Sequence, residues 1–361
     1  MLSSSVKLLL LMLRQGACSR ADLAKTMHLS RPAVSALVDG LIRQRILRES
    51  GCGVSNGGKP PIILTLEPQR FSSIGIDIGH ESLLRGTLCD AAGNLLVSRE
   101  IPHDNSCDGI LSRTAELAEE LKKSANAPIA GIGVAIAGQV DHASNEVVYC
   151  ANFPLTGRNF AQRLSLEVSM PVILDNRART AAQWEYYFGA ARKTEDFIFI
   201  SAERGIGTAI YQNGKLLQGR SGTAGEIRTL CVPSPDRTSL LPIEQAMSEK
   251  FLLELAGGNF NAIELIDAWN SGNPDARNAI AYLLDCAGYV ITLLTMLLDP
   301  SEIVLGGRFR DLGIPFAAEL EKQLRIEPRR ALTIRLSASG RIGAALGAAL
   351  NVTIRNISRT L

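Results

Sequence analysis

The stretch VILDNRARTAAQWE, residues 172–185, puts four chemically active side chains within five positions: Asp175, Asn176, Arg177 and Arg179. Its apolar start reads as a short strand and its continuation as a helix. Asp175 and Asn176 then stand at the helix entry, where a side-chain oxygen caps free backbone N–H groups. The two arginines are harder to place. A helix N-terminus carries partial positive charge and attracts anions, so Arg177 and Arg179 call for a negative partner. Two readings are open: an anionic group on a ligand, which a guanidinium fork matches in two bonds, or carboxylates of the chain itself. No comparable signal exists for a metal. The seven cysteines are odd in number, scattered and never spaced as C-x-x-C, which fits reduced thiols and neither a disulfide frame nor a local zinc site.

The elements around this stretch are those of an α/β protein. At 361 residues, 46% hydrophobic and 20% charged, the chain suits two or three folding units. From residue 71, FSSIGIDIGHESLLRGTLCDAAGNLLVSREI alternates Ile74, Ile76 and Ile78 and then returns twice, a strand meander with Asp77 and glycine at its first bend. The run CAGYVITLLTMLL, residues 286–298, is too short to span a bilayer, which needs about 20 residues. The early run VKLLLLML lacks a preceding basic region, and Val6, Leu9, Leu10 and Leu13 share one helical face. A packed amphipathic helix is expected there, and a cytoplasmic protein with no membrane partner.

Charge is uneven. Net charge is +2, yet residues 1–68 hold nine Lys/Arg against four acids, a local excess of +5 that suits contact with a polyanion. Ser19 caps a short helix with Leu23, Ala24 and Met27 inside. A tight HLS turn leads to Ser30, the cap of a second helix with Pro32 in its first turn and Val34, Leu37, Val38 and Leu41 inside. Helix, tight turn and capped helix form a helix-turn-helix, and the strand-like runs that follow, around a Gly-rich tip with Lys59, add a wing. Double-stranded operator DNA is the expected partner of this head. Ser30, Arg31, Pro32, Ser35 and Ala36 lie at the groove-entering start of the second helix. Arg43, Arg45 and Lys59 are placed for phosphate.

The later segments IAGIGVAIAGQVD, NGKLLQG, AGEI and IVLGG, at their intervals, resemble the ROK family (repressors, open reading frames and kinases) from end to end, in its regulator branch of the Mlc/NagC type. The resemblance implies a winged helix-turn-helix over residues 1–68, then a two-lobed actin/hexokinase-like domain over 71–361. Its small lobe would span 71–185 plus 340–361, and its large lobe 186–339. The family's kinase chemistry carries over poorly. Where kinases have DIGGTK to cradle phosphate, His80 and Glu81 follow Gly79. Where they have GTGIG, Glu203 and Arg204 precede Gly205. Where they have the base Asp of NDAN stands Arg177, which stays protonated and accepts no proton. The family's zinc ligands are also missing: Thr229 replaces a His, and only Cys231 remains of the cysteine cluster.

What the resemblance retains is part of a sugar pocket: Asn152, Asn176, Glu226 and Glu244, with Arg177 beside them. The expected protein is a homodimeric or larger transcription regulator, a repressor of carbohydrate genes without catalysis, cofactor or metal. Its effector would be a sugar, sugar phosphate or sugar acid, whose binding closes the lobes and shifts the two heads. One alternative is an active sugar kinase with a DNA-binding head, using Asp175 as base. Another is a DNA-binding protein with a ligand-blind body. For Arg177, internal pairing with Asp77, Glu81 or Glu203 is favoured over an anionic ligand, because charge networks of this kind are often structural.

Overall fold

The computed structural model describes residues 3–53, 60–79, 82–202, 205–220, 222–324 and 332–360. The chain divides into two compact units, residues 1–188 with 342–361, and residues 189–341.

The first unit begins with α1 (Ser4–Gln15), β1 (Cys18–Ser19), α2 (Arg20–Met27), α3 (Arg31–Arg43), β2 (Leu47–Cys52) and β3 (Ile62–Leu66). Serine hydroxyls start all three helices: Ser3 accepts from Val6 N–H, Ser19 from Asp22 N–H, and Ser30 from Ala33 N–H. Substituting such a cap by Ala costs about 1 kcal/mol. Asp22 closes a reciprocal capping box, and the Ser19 hydroxyl and N–H hold its carboxyl below the usual carboxylate range. His28, in the left-handed region at φ 54°, makes the tight turn between α2 and α3. The three strands form one antiparallel sheet in the order β1-β3-β2.

The body of this unit follows: β4 (Ser72–Ile78), β5 (Leu83–Asp90), β6 (Leu95–Pro102), α4 (Cys107–Lys123), β7 (Ile129–Ile136), β8 (Gln139–Asp141), β9 (Glu146–Tyr149), α5 (Phe160–Val168), β10 (Val172–Asn176) and α6 (Arg177–Tyr187). The meander read at residues 71–101 is β4-β5-β6, antiparallel throughout. β7 and β10 add in parallel, giving the order β6-β5-β4-β7-β10.

The second unit contains β11 (Phe197–Ala202), β12 (Ile206–Gln212), β13 (Lys215–Leu216), β14 (Cys231–Pro233), β15 (Leu240–Pro242), α7 (Ile243–Ala246), α8 (Glu249–Leu255), α9 (Ala262–Ser271), α10 (Pro274–Leu298), β16 (Glu302–Gly307), α11 (Arg308–Asp311), α12 (Gly313–Gln323) and β17 (Thr333–Leu336). Its main sheet runs β13-β12-β11-β16-β17. Both sheets therefore repeat one plan: an antiparallel meander of three strands, then two strands added in parallel beside the first. The apolar run at 286–298 belongs to the 25-residue α10, long enough to cross a membrane by length and composition. The shorter estimate from sequence is corrected by the capped start at Asn273. Ala276, Ile280, Leu283, Ala287, Val290 and Leu294 of α10 enter the apolar core of the second unit.

The last helix, α13 (Gly343–Thr360), returns to the first unit. Glycines let it lie against its neighbours at backbone distance. A Cβ at Gly75 or Gly133 would collide with the carbonyl of Ala345 or Ala348, and one at Gly347 with that of Thr180 on α6. Farther along, Ile354 and Ile357 of α13, with Tyr187 and Phe188 at the end of α6, join the core of the head. Arg14 of α1 donates to Tyr186 Oη at 2.6 Å and lies 3.9 Å from that ring's centre. This explains the apolar run in α1: Leu8 and Met12 are buried as well as Val6, Leu9 and Leu13, because the helix packs on α3 and also on α6 and α13.

Candidate functional site

In the head, α3 has one buried and one exposed face. Val34, Val38 and Leu41 face inward, while Arg31, Pro32 and Ala36 are exposed and Ser35 is half-buried. Ser30 caps the helix and stays exposed itself. Arg20 of α2 bonds Asp39 Oδ1 at 2.7 Å and holds the two helices together from the outside. Among the described residues Arg31 makes no hydrogen bond or ion pair, so its guanidinium is available to a ligand. Arg43 is exposed with Nε on the Asp39 carbonyl, and Arg45 is exposed at φ 54° after the helix end. The wing strands β2 and β3 pair with a bulge between Glu49 and Gly51. Lys59 lies outside the described residues.

The second site is the entry to α6. β4 and β10 flank β7, and their registers set both Asp77 and Asp175 beside Ala135 at one end of the sheet. Asn176 caps α6, accepting from Ala178 and Arg179 N–H at 2.8 and 3.2 Å, while its Nδ2 donates to the Gly138 carbonyl at 2.8 Å. Arg177 turns back over the first bend: its Nε donates to both oxygens of Asp77, at 2.8 and 3.0 Å. Asp77 is 1% exposed and the Arg177 side chain 15%. The same guanidinium occupies the space a Cβ at Gly79 would need. Arg179 is 3% exposed, with Nε 3.4 Å from Asp175 Oδ1. Asp175 also accepts from Asn351 Nδ2 at 3.0 Å and from Asn176 N–H at 2.7 Å. Arg177–Asp77 and Arg179–Asp175 thus stand as two ion pairs at this end of the sheet. His80 and Glu81, which follow that bend, lie outside the described residues. Asn152 of the proposed pocket is half-buried in the turn before α5.

In the second unit, Glu203 and Arg204 lie outside the described residues, but Gly205 does not. Oε1 of Glu244, on α7, abuts it so closely that a Cβ there would collide. Glu226 is half-buried in the turn after Gly225, its N–H bonded to the Thr223 carbonyl. The segment that follows Glu226 is closed by β-structure. β14 pairs with β15, Asp236 receives Ser234 and Thr238 hydroxyls between them, and Tyr282 Oη donates to the Pro233 carbonyl. Cys231 is exposed and bonds only the Thr229 carbonyl among the described residues. Among those residues no group of three or more His, Cys, Asp or Glu could hold a metal ion.

Sequence reasoning missed the junction of head and body. Arg14, Tyr186, Tyr187 and Ile357 gave no motif. The available signal was the excess of apolar positions in α1 over what one face can bury.

A model of the ROK family matches residues 73–353. The xylose repressor of Caldicellulosiruptor bescii is 26% identical over 332 residues, covering 84% of this chain and 82% of that protein. The DNA-binding transcriptional dual regulator NagC of Escherichia coli is 24% identical over 344 residues, 89% of this chain and 84% of its own. Among solved structures, a ROK family transcriptional regulator homologous to the E. coli MLC protein has a TM-score of 0.81 at 19% identity and covers 99% of this chain and 98% of its own. A ROK glucokinase from Streptomyces griseus, in complex with glucose and AMPPNP, has a TM-score of 0.69 at 24% identity and covers 78% of this chain and 98% of its own. With the family model spanning well over half its length, from the first body strand into the final helix, the chain belongs to the ROK family.

Proposed function

We propose that this protein is a DNA-binding transcription regulator, a repressor of carbohydrate genes, whose ROK body senses a sugar-type effector and transfers no phosphoryl group. The observation that carries the reading is the Arg177–Asp77 pair. A kinase needs an acceptor for the sugar hydroxyl's proton and open backbone N–H groups for phosphate. Here a guanidinium stands at the base position and covers Gly79. Asp175, the alternative base, already receives Asn351 and lies beside Arg179. The carboxylate of Glu244 against Gly205 adds negative charge beside the second phosphate loop. The relatives named as repressors support the regulator reading, and their different sugars limit the effector to a class.

Arg177 is best read as filling the place of the nucleotide phosphates rather than holding an acidic effector. Sugar contacts are proposed for Asn152, Asn176, Glu226 and Glu244, since amides and carboxylates bind hydroxyl groups through paired donors and acceptors. The head would read operator bases through Ser30, Arg31, Pro32, Ser35 and Ala36, and phosphates through Arg43, Arg45 and Lys59. Two-fold operators require two heads, so the protein would act as a homodimer in the cytoplasm. The outer face of α10, with Tyr289, Met296 and Leu297 49, 68 and 70% exposed, is the surface we assign to the second copy.

The test pairs two assays. In the first, promoter fragments are titrated with protein across a panel of pentoses, hexoses and N-acetylhexosamines, and one sugar is expected to shift affinity at least tenfold. In the second, coupled ADP release is followed with the same panel and is expected to stay at background. Sugar-dependent turnover that Asp175→Ala abolishes would establish the kinase instead.

A further inference from the structure

Away from the α6 entry, the first unit holds a cavity of about 410 Å³ at the opposite end of its sheet. Ala130, Gly131 and Val172, at the beginnings of β7 and β10, form one wall. The start of α5 and the last turns of α13 form the others. Arg355 and Arg359, one turn apart on α13, both line it. Among the described residues neither guanidinium makes a hydrogen bond or ion pair. Partial burial, and then the charge of Arg359, push Arg355 below the usual arginine range. The two cations therefore face one cavity and repel one another within it. Glu146, Gln162 and Asn356 line the same space, and among the described residues Glu146 forms no ion pair with either arginine.

We propose that this cavity is a second effector site and binds a small phosphorylated polyhydroxy metabolite. The phosphate lies between Arg355 and Arg359, and the hydroxyl groups face Glu146, Gln162 and Asn356. A phosphate monoester carries between one and two negative charges near neutral pH and three acceptor oxygens, enough to serve two guanidinium forks, whereas a lone carboxylate is filled by one. Glu146 accepts hydroxyl hydrogen bonds and sets a limit on how much anionic charge the site takes. No aromatic side chain lines the cavity to stack on a nucleobase, and its volume suits a sugar phosphate. The site also has an output. The opposite side of the same helical turns carries Ile354 and Ile357, which dock on the core of the head. A ligand gripping Arg355 and Arg359 acts on the helix to which the DNA-binding element is fixed. This inference does not depend on the sugar contacts assigned above, since it uses none of those residues.

Isothermal calorimetry on the full chain tests it, with glucose 6-phosphate, ribose 5-phosphate, glucose and inorganic phosphate as probes. At least one sugar phosphate is expected to bind wild type ten-fold or more tighter than glucose and than inorganic phosphate. Arg355→Gln with Arg359→Gln is expected to weaken that binding at least ten-fold with an unchanged melting curve, since both side chains are exposed. Gln162→Trp, which fills the cavity without altering charge, should give the same loss. Unchanged affinity in both variants places the phosphate elsewhere and overturns the proposal. So does a chain that binds none of the four probes at millimolar concentration. Equal binding of inorganic phosphate and sugar phosphate overturns the polyhydroxy ligand. A double variant that loses operator affinity while keeping sugar phosphate identifies DNA as the phosphate source and overturns the site.

Discussion

The Asp77–Arg177 pair makes a quantitative prediction. Arg177 Nε sits 2.8 and 3.0 Å from the two carboxylate oxygens of a side chain that is 1% exposed. Removing one partner of such a pair leaves an uncompensated buried charge, at a cost of about 3–5 kcal/mol, whereas replacing both is far cheaper. Arg177 keeps 15% of its side-chain surface in solvent, which places Asp77→Ala near the lower end, about 3 kcal/mol, a factor of about 100 in the unfolding equilibrium. Arg177→Ala should cost a similar amount, because Asp77 then stays buried without that guanidinium. The double variant should cost about 1–2 kcal/mol, leaving a coupling energy well above the ~0.5 kcal/mol expected of independent sites. Trp184, near the end of α6, reports on the first unit by fluorescence once Trp269 in the second is changed to Phe. Urea titrations of the four chains in that background give the cycle. Additive losses, or an Asp77→Ala cost below about 1 kcal/mol, would mean the pair is not formed, and with it would fall the argument that the phosphate bend is closed.

Three further outcomes are expected. Arg31→Ala should lower operator affinity by about 1–3 kcal/mol and relax base choice, whereas Arg45→Ala should weaken all duplexes alike and reduce the salt slope by about 1, as gel-shift titrations at several salt concentrations would show. Arg14→Ala should remove the bond and the ring contact to Tyr186, speeding hydrogen exchange in α1 by about ten-fold or more while the strands of the β4 sheet keep their protection. Burial pushes the Cys18 and Cys286 thiols up to about 11 and Cys89 to about 12, so at pH 8 these stay protonated. Iodoacetamide followed by mass spectrometry should therefore label exposed Cys52 and Cys231 first, and buried Cys18, Cys89 and Cys286 only in denaturant.

Much of the fold was legible because its signals are local. The serine caps and helical periods of α1, α2 and α3 each reside within a dozen residues, and so does the alternation of Ile74, Ile76 and Ile78 in β4. The requirement for a negative partner at Arg177 was also legible, since it follows from helix electrostatics alone. The identity of that partner was narrowed but not fixed, because Asp77 is 100 residues away and is brought near the start of α6 only through β7, where Asp77 and Asp175 share the neighbour Ala135. The ribbon β14–β15 rests on pairing between short strands with little periodicity, so it left no readable pattern. The head-to-body junction was hidden for a similar reason. Its members lie in three distant segments, and each looks like an ordinary core residue on its own.

The close packing of α13 also bears on the order in which the protein can be made. The strands it covers, β4 and β7, leave the ribosome more than two hundred residues before Gly343 does. Until that helix arrives, Gly75 and Gly133 leave a bare strip of backbone-lined sheet, and the head lacks Ile357 beneath its core. The unit synthesised first is thus completed last, after all of the second unit has emerged. A nascent chain stalled or cleaved between residues 43 and 343 would carry a whole α3 sequence but no finished platform to hold it. Translation through α13 thus separates a polypeptide that merely contains α3 from one in which the core beneath it is complete.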